Sequence, residues 1–153
     1  MSSLWADEVI VVPERDGDAW GGGQRDRGIA SASSDWICFM DDDDVFTTDA
    51  GEILRSELPK DASWHVFSMS YDDGTTLYAS EVRSGAIGTP MIVVPNVPEL
   101  PLWADHLGYT NDYFFAVGCQ QLLGEPAFHR EVIATIRTGP KPPCSQLQLL
   151  REG

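Results

Sequence analysis

The apolar positions of the chain fall into short runs, some with the two-residue period of strands and others with the wider period of helices. "EVIVV" (Glu8 to Val12) is a β-branched run stopped by Pro13, which predicts a buried strand rather than a half-exposed one. A long polar loop follows and carries "WGGGQ" (Trp20 to Gln24). Arg25 to Ser33 then reads as a short helix in which Gly28, Ala30 and Ala32 allow close packing, and "DWICFM" as a second buried strand. Asp49, with Glu52 three residues on, makes a capping-box-like start to a helix through "AGEILRSEL" that ends before Pro59. "SWHVFSMSY" and "TTLYASEV", separated by "DDG", read as a hairpin, and "PMIVVP" as one more short strand. Asn111 to Leu123 is a helix, while the periodicity of "EVIATIR" (Glu131 to Arg137) fits a strand or a helix. The alternation predicts an α/β fold.

Composition narrows this picture. With 153 residues and 42% hydrophobic content the chain can bury one core, so a single domain is expected over residues 1–137. Pro-rich "TGPKPPCSQ" (Thr138 to Gln146) opens a tail over 138–153. Ten Lys plus Arg against 24 Asp plus Glu give a formal charge of −14, which argues against nucleic acid or an anionic membrane as the main partner. A cationic ligand suits it better. Cys38, Cys119 and Cys144 are odd in number and lack a CxxC pair, so neither a disulfide framework nor a zinc site is suggested, and a reducing cytoplasm fits. The N-terminus has no basic n-region and no stretch approaches the ~20 apolar residues of a membrane span, so a cytoplasmic location without a membrane span is expected.

The candidate chemistry lies in "SDWICFMDDDDVF" (Ser34 to Phe46), where an apolar run ends in four consecutive carboxylates, Asp41 to Asp44. Such a row repels itself unless a cation sits within it. Strand alternation places Asp41 and Asp43 on one face and Asp42 and Asp44 on the other, giving a pair of oxygen ligands at a strand end. Ends of strands in open α/β sheets are where ligands bind, and Mg²⁺ or Mn²⁺ is typically held by one or two carboxylates plus substrate phosphates. The alternative is a solvated acidic loop, or acids facing the next helix dipole, although Asp49 already serves that end.

Gly21 to Leu58, "GGGQRDRGIASASSDWICFMDDDDVFTTDAGEILRSEL", resembles the middle of family 2-type glycosyltransferases of the GT-A fold, whose pattern is approximately G-x-x-x-A-R-N-x-G-I-x-x-A-x-G-x-x-I-x-F-L-D-x-D-D. Arg25, Gly28, Ile29, Ala32, Ile37, Phe39, Asp41, Asp43 and Asp44 fall in register, while Gln24 stands for the usual Ala and Asp26 for the usual Asn. "GTPMIVVPNVPELPLW" resembles the acceptor-side strand and loop more loosely. "TNDYFF" sits where the family often has an acidic pair ending in the catalytic Asp, with Asn111 replacing the first acid. The resemblance implies a Rossmann-like mixed sheet flanked by helices. It also implies that the chain lacks part of the usual N-terminal nucleotide-binding unit, either through a truncated start or because a minimal variant builds that pocket from Pro13 to Gln24.

By that resemblance the protein is a metal-dependent glycosyltransferase of the hexosyltransferase type. It would move a sugar from a nucleoside-diphosphate sugar to a saccharide or other hydroxyl acceptor, inverting with a carboxylate base. Asp41 and Asp43 would hold Mn²⁺ or Mg²⁺, with His129 as a third ligand in the manner of a late His in some relatives, or else a structural residue. Arg25, Arg27 and Gly28, with Asp41 and Asp42, would meet the donor diphosphate. Asp112 would be the base, or merely a complement to its helix N-terminus. "WGGGQ" could present backbone N–H groups to phosphates or simply be a flexible connection, and Trp103 could stack on an acceptor sugar or plug the core. A non-catalytic GT-A remnant that binds a glycan or a protein is the alternative function. A second copy or a partner chain could complete the abbreviated fold.

Overall fold

The computed structural model describes residues 5–15, 21–58, 63–105, 108 and 110–137, so the Pro-rich tail and residues 16–20 of the Pro13 to Gln24 loop, Trp20 included, lie outside the described residues. Among these residues three α-helices and six strands follow one another as α1 (Gly22–Ser31), β1 (Trp36–Cys38), β2 (Val45–Phe46), α2 (Ala50–Glu57), β3 (His65–Tyr71), β4 (Thr76–Leu77), β5 (Ile92–Pro95), α3 (Asn111–Leu123) and β6 (Ala127–Ile136). The strands form one sheet in the order β1-β5-β3-β6-β2, with β4 paired to β3 off this path. Pairing is antiparallel except between β3 and β6, which run parallel. The fold is therefore mixed α/β, as the alternation of elements predicts.

A curled sheet suits the short connection between its two end strands. β1 and β2 stand at opposite ends of the strand order, which in a flat sheet would separate them by about 19 Å at ~4.8 Å per neighbour. The seven steps from Cys38 to Val45 reach at most about 25 Å when fully extended. Part of that reach is spent in a turn, because the Asp44 N–H donates to the Asp41 carbonyl at 3.2 Å. The acidic run is thus the strap that joins the two ends of the curled sheet.

Helices cover both faces. Ile92 and Val94 of β5 pack in the cluster that holds Phe115, Ala116 and Cys119 of α3, whereas Val93 between them packs with Ala50 and Leu54 of α2. This two-residue alternation buries both sides of the strand, which is why it reads as a continuous apolar run. The Trp64 indole N–H donates to Gly124 O at 2.7 Å and the Ser63 hydroxyl to Leu123 O at 2.6 Å, which pins the C-terminus of α3 at the start of β3. Thirteen helical residues rise about 20 Å, close to the length of β3, so the N-terminus of α3 is carried to the opposite end of the sheet, beside the acidic strap.

Three local expectations change. Glu8 to Val12 pairs with no strand among the described residues, and Val9 and Ile10 are 48% and 37% exposed. Side chains hold it instead: the Glu8 carboxylate accepts the Ser33 and Ser34 N–H groups, while Gln24 and Arg27 of α1 donate to the carbonyls of Val12 and Pro13. The second buried strand keeps only Trp36–Cys38 before the acidic turn takes over. The capping box at Asp49 does not form, since that side chain makes no cap hydrogen bond; the helix opens on Ala50 N–H to Thr47 O at 3.1 Å. Its first turn carries Trp5, seated so closely on Gly51 that a Cβ there would stand 2.3 Å from the Trp5 Cβ. "EVIATIR" is strand, in keeping with its β-branched Val132, Ile133, Thr135 and Ile136.

Candidate active site

The acidic run does not alternate as a strand would, because β1 has already ended and residues 41–44 close a turn. Consecutive Asp residues favour turns over strands. The turn gathers one carboxylate oxygen from each of Asp41, Asp43 and Asp44 within 4.8 Å of one another and leaves Asp42 exposed outside this trio. Asp44 is 5% exposed, and its Oδ1 accepts the Arg137 N–H at 3.0 Å, tying the strap to the end of β6. Asp44, which strand alternation sends to the far face, is thus the ligand-type residue that sequence reasoning missed; its place in the D-x-D-D register is the signal that marks it.

The cation that the row of acids demands comes from α1. Arg25 Nη2 donates to Asp41 Oδ1 at 2.6 Å, with the arginine side chain only 12% exposed. Its guanidinium carbon lies 4.7 Å over the Trp103 ring. Trp103 is 1% exposed, stacked on Phe115 at 4.1 Å and 12° and edge-on to Phe39, and its Nε1–H has no acceptor among the described residues. It is a core residue rather than an exposed sugar platform. Its short 3₁₀ turn, Trp103–Asp105, is held by Asp26, whose two carboxylate oxygens accept the N–H groups of Trp103 and Ala104 at 2.7 and 3.0 Å. Gly22 lets α1 approach this turn, since a Cβ there would lie 3.2 Å from Trp103 O and the Ala104 Cα.

Asp112 enters from the first turn of α3. Burial raises its pKa above the usual carboxylate value; the Tyr113 N–H, which it accepts at 2.7 Å, and the charge of Arg25 act against that rise, and the charge of Asp41 adds to it. A carboxylate late in the chain therefore shares one electrostatic environment with Arg25 and Asp41. The other anticipated residues lie elsewhere. Arg27 donates to Pro13 O at 2.8 Å and Gly28 faces Val12, so both serve the seat of the N-terminal segment. His129 is not brought to the carboxylates: its Nε2 is 2.8 Å from His65 Nδ1, its Nδ1 is 3.7 Å from Glu57 Oε2, and Phe67 stacks on it at 4.2 Å. Burial and the neighbouring His129 push the His65 pKa down to about 4, against the opposing charge of Glu57.

Three carboxylate oxygens at this spacing form a hard donor set that fits a divalent ion such as Mg²⁺ or Mn²⁺. No helix among the described residues is long and apolar enough to cross a membrane.

No curated protein matches the chain in sequence. Residues 5–95 match the sequence model of Glycosyl transferase family 2, a stretch of 91 of the 153 residues that contains α1, Arg25 and the whole acidic strap. With more than half of its length in that match and a mixed α/β fold of the GT-A type, the chain belongs to glycosyltransferase family 2.

Proposed function

We propose that the protein is a metal-dependent transferase that moves a sugar from a nucleoside-diphosphate sugar to a hydroxyl acceptor, with inversion. The observation that carries this reading is the convergence of Asp112 with Arg25 and Asp41, which brings a carboxyl group of the right kind for a base to the residues that suit a diphosphate. Asp41, Asp43 and Asp44 would hold the divalent ion, which supplies Lewis-acid stabilisation of the charge that grows on the departing diphosphate. The Arg25 guanidinium adds a second positive charge, in the planar form that binds phosphate oxygens in pairs. Asp112 removes the acceptor hydroxyl's proton. Its raised pKa makes it a stronger base than an exposed Asp. His129 and Arg27 have structural roles in this scheme.

The test is thermal stabilisation by a panel of nucleotide sugars with and without Mn²⁺, on wild type and Asp43→Asn. Ligand binding at about 100 times Kd stabilises by about 2.7 kcal/mol. Wild type should show an Mn²⁺-dependent rise that the variant lacks, because Asn keeps the shape but removes the charge. The ligand-free variant should itself melt higher than wild type, through relief of repulsion in the acidic trio. Equal Mn²⁺-dependent stabilisation of both proteins would remove the acidic strap from the metal role.

A further inference from the structure

A line of three titratable side chains joins α2, β6 and β3. The Glu57 carboxylate at the end of α2 lies 3.7 Å from His129 Nδ1, and His129 Nε2 lies 2.8 Å from His65 Nδ1. His65 is fully buried, and its Nε2 has no hydrogen-bond partner among the described residues. The Trp36 ring of β1 stands edge-on to it at 5.3 Å and Phe67 of β3 lies at 6.0 Å, while the charges that act on it are those of Glu57 and His129. Cys38 of β1 packs against the cluster that holds Phe67 and is kept a neutral thiol by burial, its pKa pushed up to about 12. His129 sits where β6 falls out of step with β3: Val66 faces Phe128 and Ser68 faces Val132, and the His129 ring stacks on Phe67 at 4.2 Å.

Counting protons fixes the state of this line. The two imidazoles have four ring nitrogens, and the 2.8 Å contact holds one proton between two of them. A neutral pair carries two protons. One is in the contact, and the other belongs on His129 Nδ1, where it faces the Glu57 carboxylate and leaves His65 Nε2 a bare lone pair. A third proton has one position left, His65 Nε2. There it would make a buried charge with an N–H that has no acceptor, a strongly disfavoured state. Proton uptake is therefore opposed for as long as the contact between the rings is kept.

We propose that the Glu57–His129–His65 line is an acid-operated latch: neutral, it fastens α2 and the irregular stretch of β6 to β3, and proton uptake parts His129 from His65 and loosens that joint. Released, His129 carries the proton as an imidazolium beside Glu57, with its Nε2–H turned to water. The low pKa of His65, pushed to about 4 by burial first and then by the charge of His129, agrees with the proton count. The closed line binds the extra proton more weakly than an ordinary imidazole of pKa 6.5, so its stability is complete above pH 6.5 and is lost as the pH falls towards 4. The latch lies at the other end of β6 from the Arg137 N–H that holds Asp44, and it does not depend on what the acidic strap binds.

The test uses the full chain. Long-range ¹⁵N–¹H spectra of the histidine rings should show His65 at pH 7 with its proton on Nδ1 and none on Nε2. Hydrogen–deuterium exchange, corrected for the intrinsic effect of pH, should show residues 127–133 and the last turn of α2 losing protection by about tenfold or more between pH 7 and pH 4.5. The middle of α3, on the other face of the sheet, should keep its protection. In His65→Phe, which keeps an aromatic ring against Trp36 and Phe67 but removes the contact, the loss should disappear, and His129→Phe gives the same comparison from the other ring. A His65 proton on Nε2 at pH 7, equal protection at the two pH values, or an undiminished loss in either variant overturns the latch. The first two of these results come from wild type alone, so the latch can be refuted even where neither variant folds.

Discussion

Asp26→Asn should weaken this protein. Both carboxylate oxygens of Asp26 accept a backbone N–H, from Trp103 at 2.7 Å and from Ala104 at 3.0 Å. Asn offers one acceptor oxygen, so its NH₂ group must face one of two donors. Turned to the half-buried Trp103 N–H, the amide keeps a neutral bond in place of a charge-assisted one, a loss of about 1 kcal/mol. The Ala104 bond is exposed and water can replace it, so its loss adds about 0.5–1 kcal/mol. The sum of about 2 kcal/mol lowers the melting temperature by roughly 4–8 °C for a domain of this size. Because the same turn carries Trp103 beneath Arg25, nucleotide binding should weaken along with stability. Thermal or urea unfolding of both proteins, followed by a nucleotide titration at a temperature where each is folded, measures the two effects. A change within about 0.5 kcal/mol, typical of an unremarkable surface substitution, would refute the assignment of Asp26 as the anchor of this turn.

The remaining predictions concern charge. Asp112→Asn should lower sugar transfer by a factor of ~10²–10⁴ with donor binding nearly intact, as measured by turnover and nucleotide titration on one preparation. Because the Asp112 pKa is raised in the folded protein, its ionised form opposes folding; the variant should melt higher than wild type at pH 7, and the difference should vanish below the ordinary value of 3.8, where both states are protonated. His65 shifts the other way, from 6.5 down to about 4, so its contribution to stability is present above pH 6.5 and lost as the pH falls towards 4. That loss is less than about 3 kcal/mol once solvent screening is allowed for, and His65→Phe should flatten the pH dependence of melting across this window.

The elements that sequence alone locates well are those whose environment is uniform along their length. α3 runs from Asn111 to Leu123, as its apolar stripe and the following Gly124 imply, and β5 is an apolar run because both of its faces are buried. Glu8 to Val12 shows where this fails. A β-branched run establishes that a segment prefers to be extended, but a strand needs a neighbour, and the neighbours here are the side chains of Gln24, Arg27 and the serines after α1. Sequence pattern also reports nothing about Asp26 meeting Trp103, 77 positions away, or about His129 being turned to His65 instead of the carboxylates. Both depend on how the sheet curls, a property of the whole strand order. The family resemblance puts Asp41, Asp43 and Asp44 in one motif, and the turn gathers an oxygen from each of them; strand periodicity, applied past the true end of β1, separates Asp44 from its partners.

The position of the acids on the strap gives their repulsion a structural setting. Residues 39–44 bridge the two ends of a curled sheet, and Asp44 is fixed within that bridge by the Arg137 N–H. Like charges within 4.8 Å are costly wherever they occur, and a flexible loop would relieve the cost by spreading them apart. This strap is anchored by β1 at one end and β2 at the other, so the carboxylates stay gathered and Arg25 offsets part of their repulsion. A site held in this way is prearranged for a cation before any arrives, and little reorganisation is needed when it does. The formal charge of −14 acts in the same direction at longer range, by raising the local concentration of cations. It would repel a bare nucleoside diphosphate for the same reason. Under the proposed function, the donor should therefore bind together with a divalent ion that lowers its negative charge.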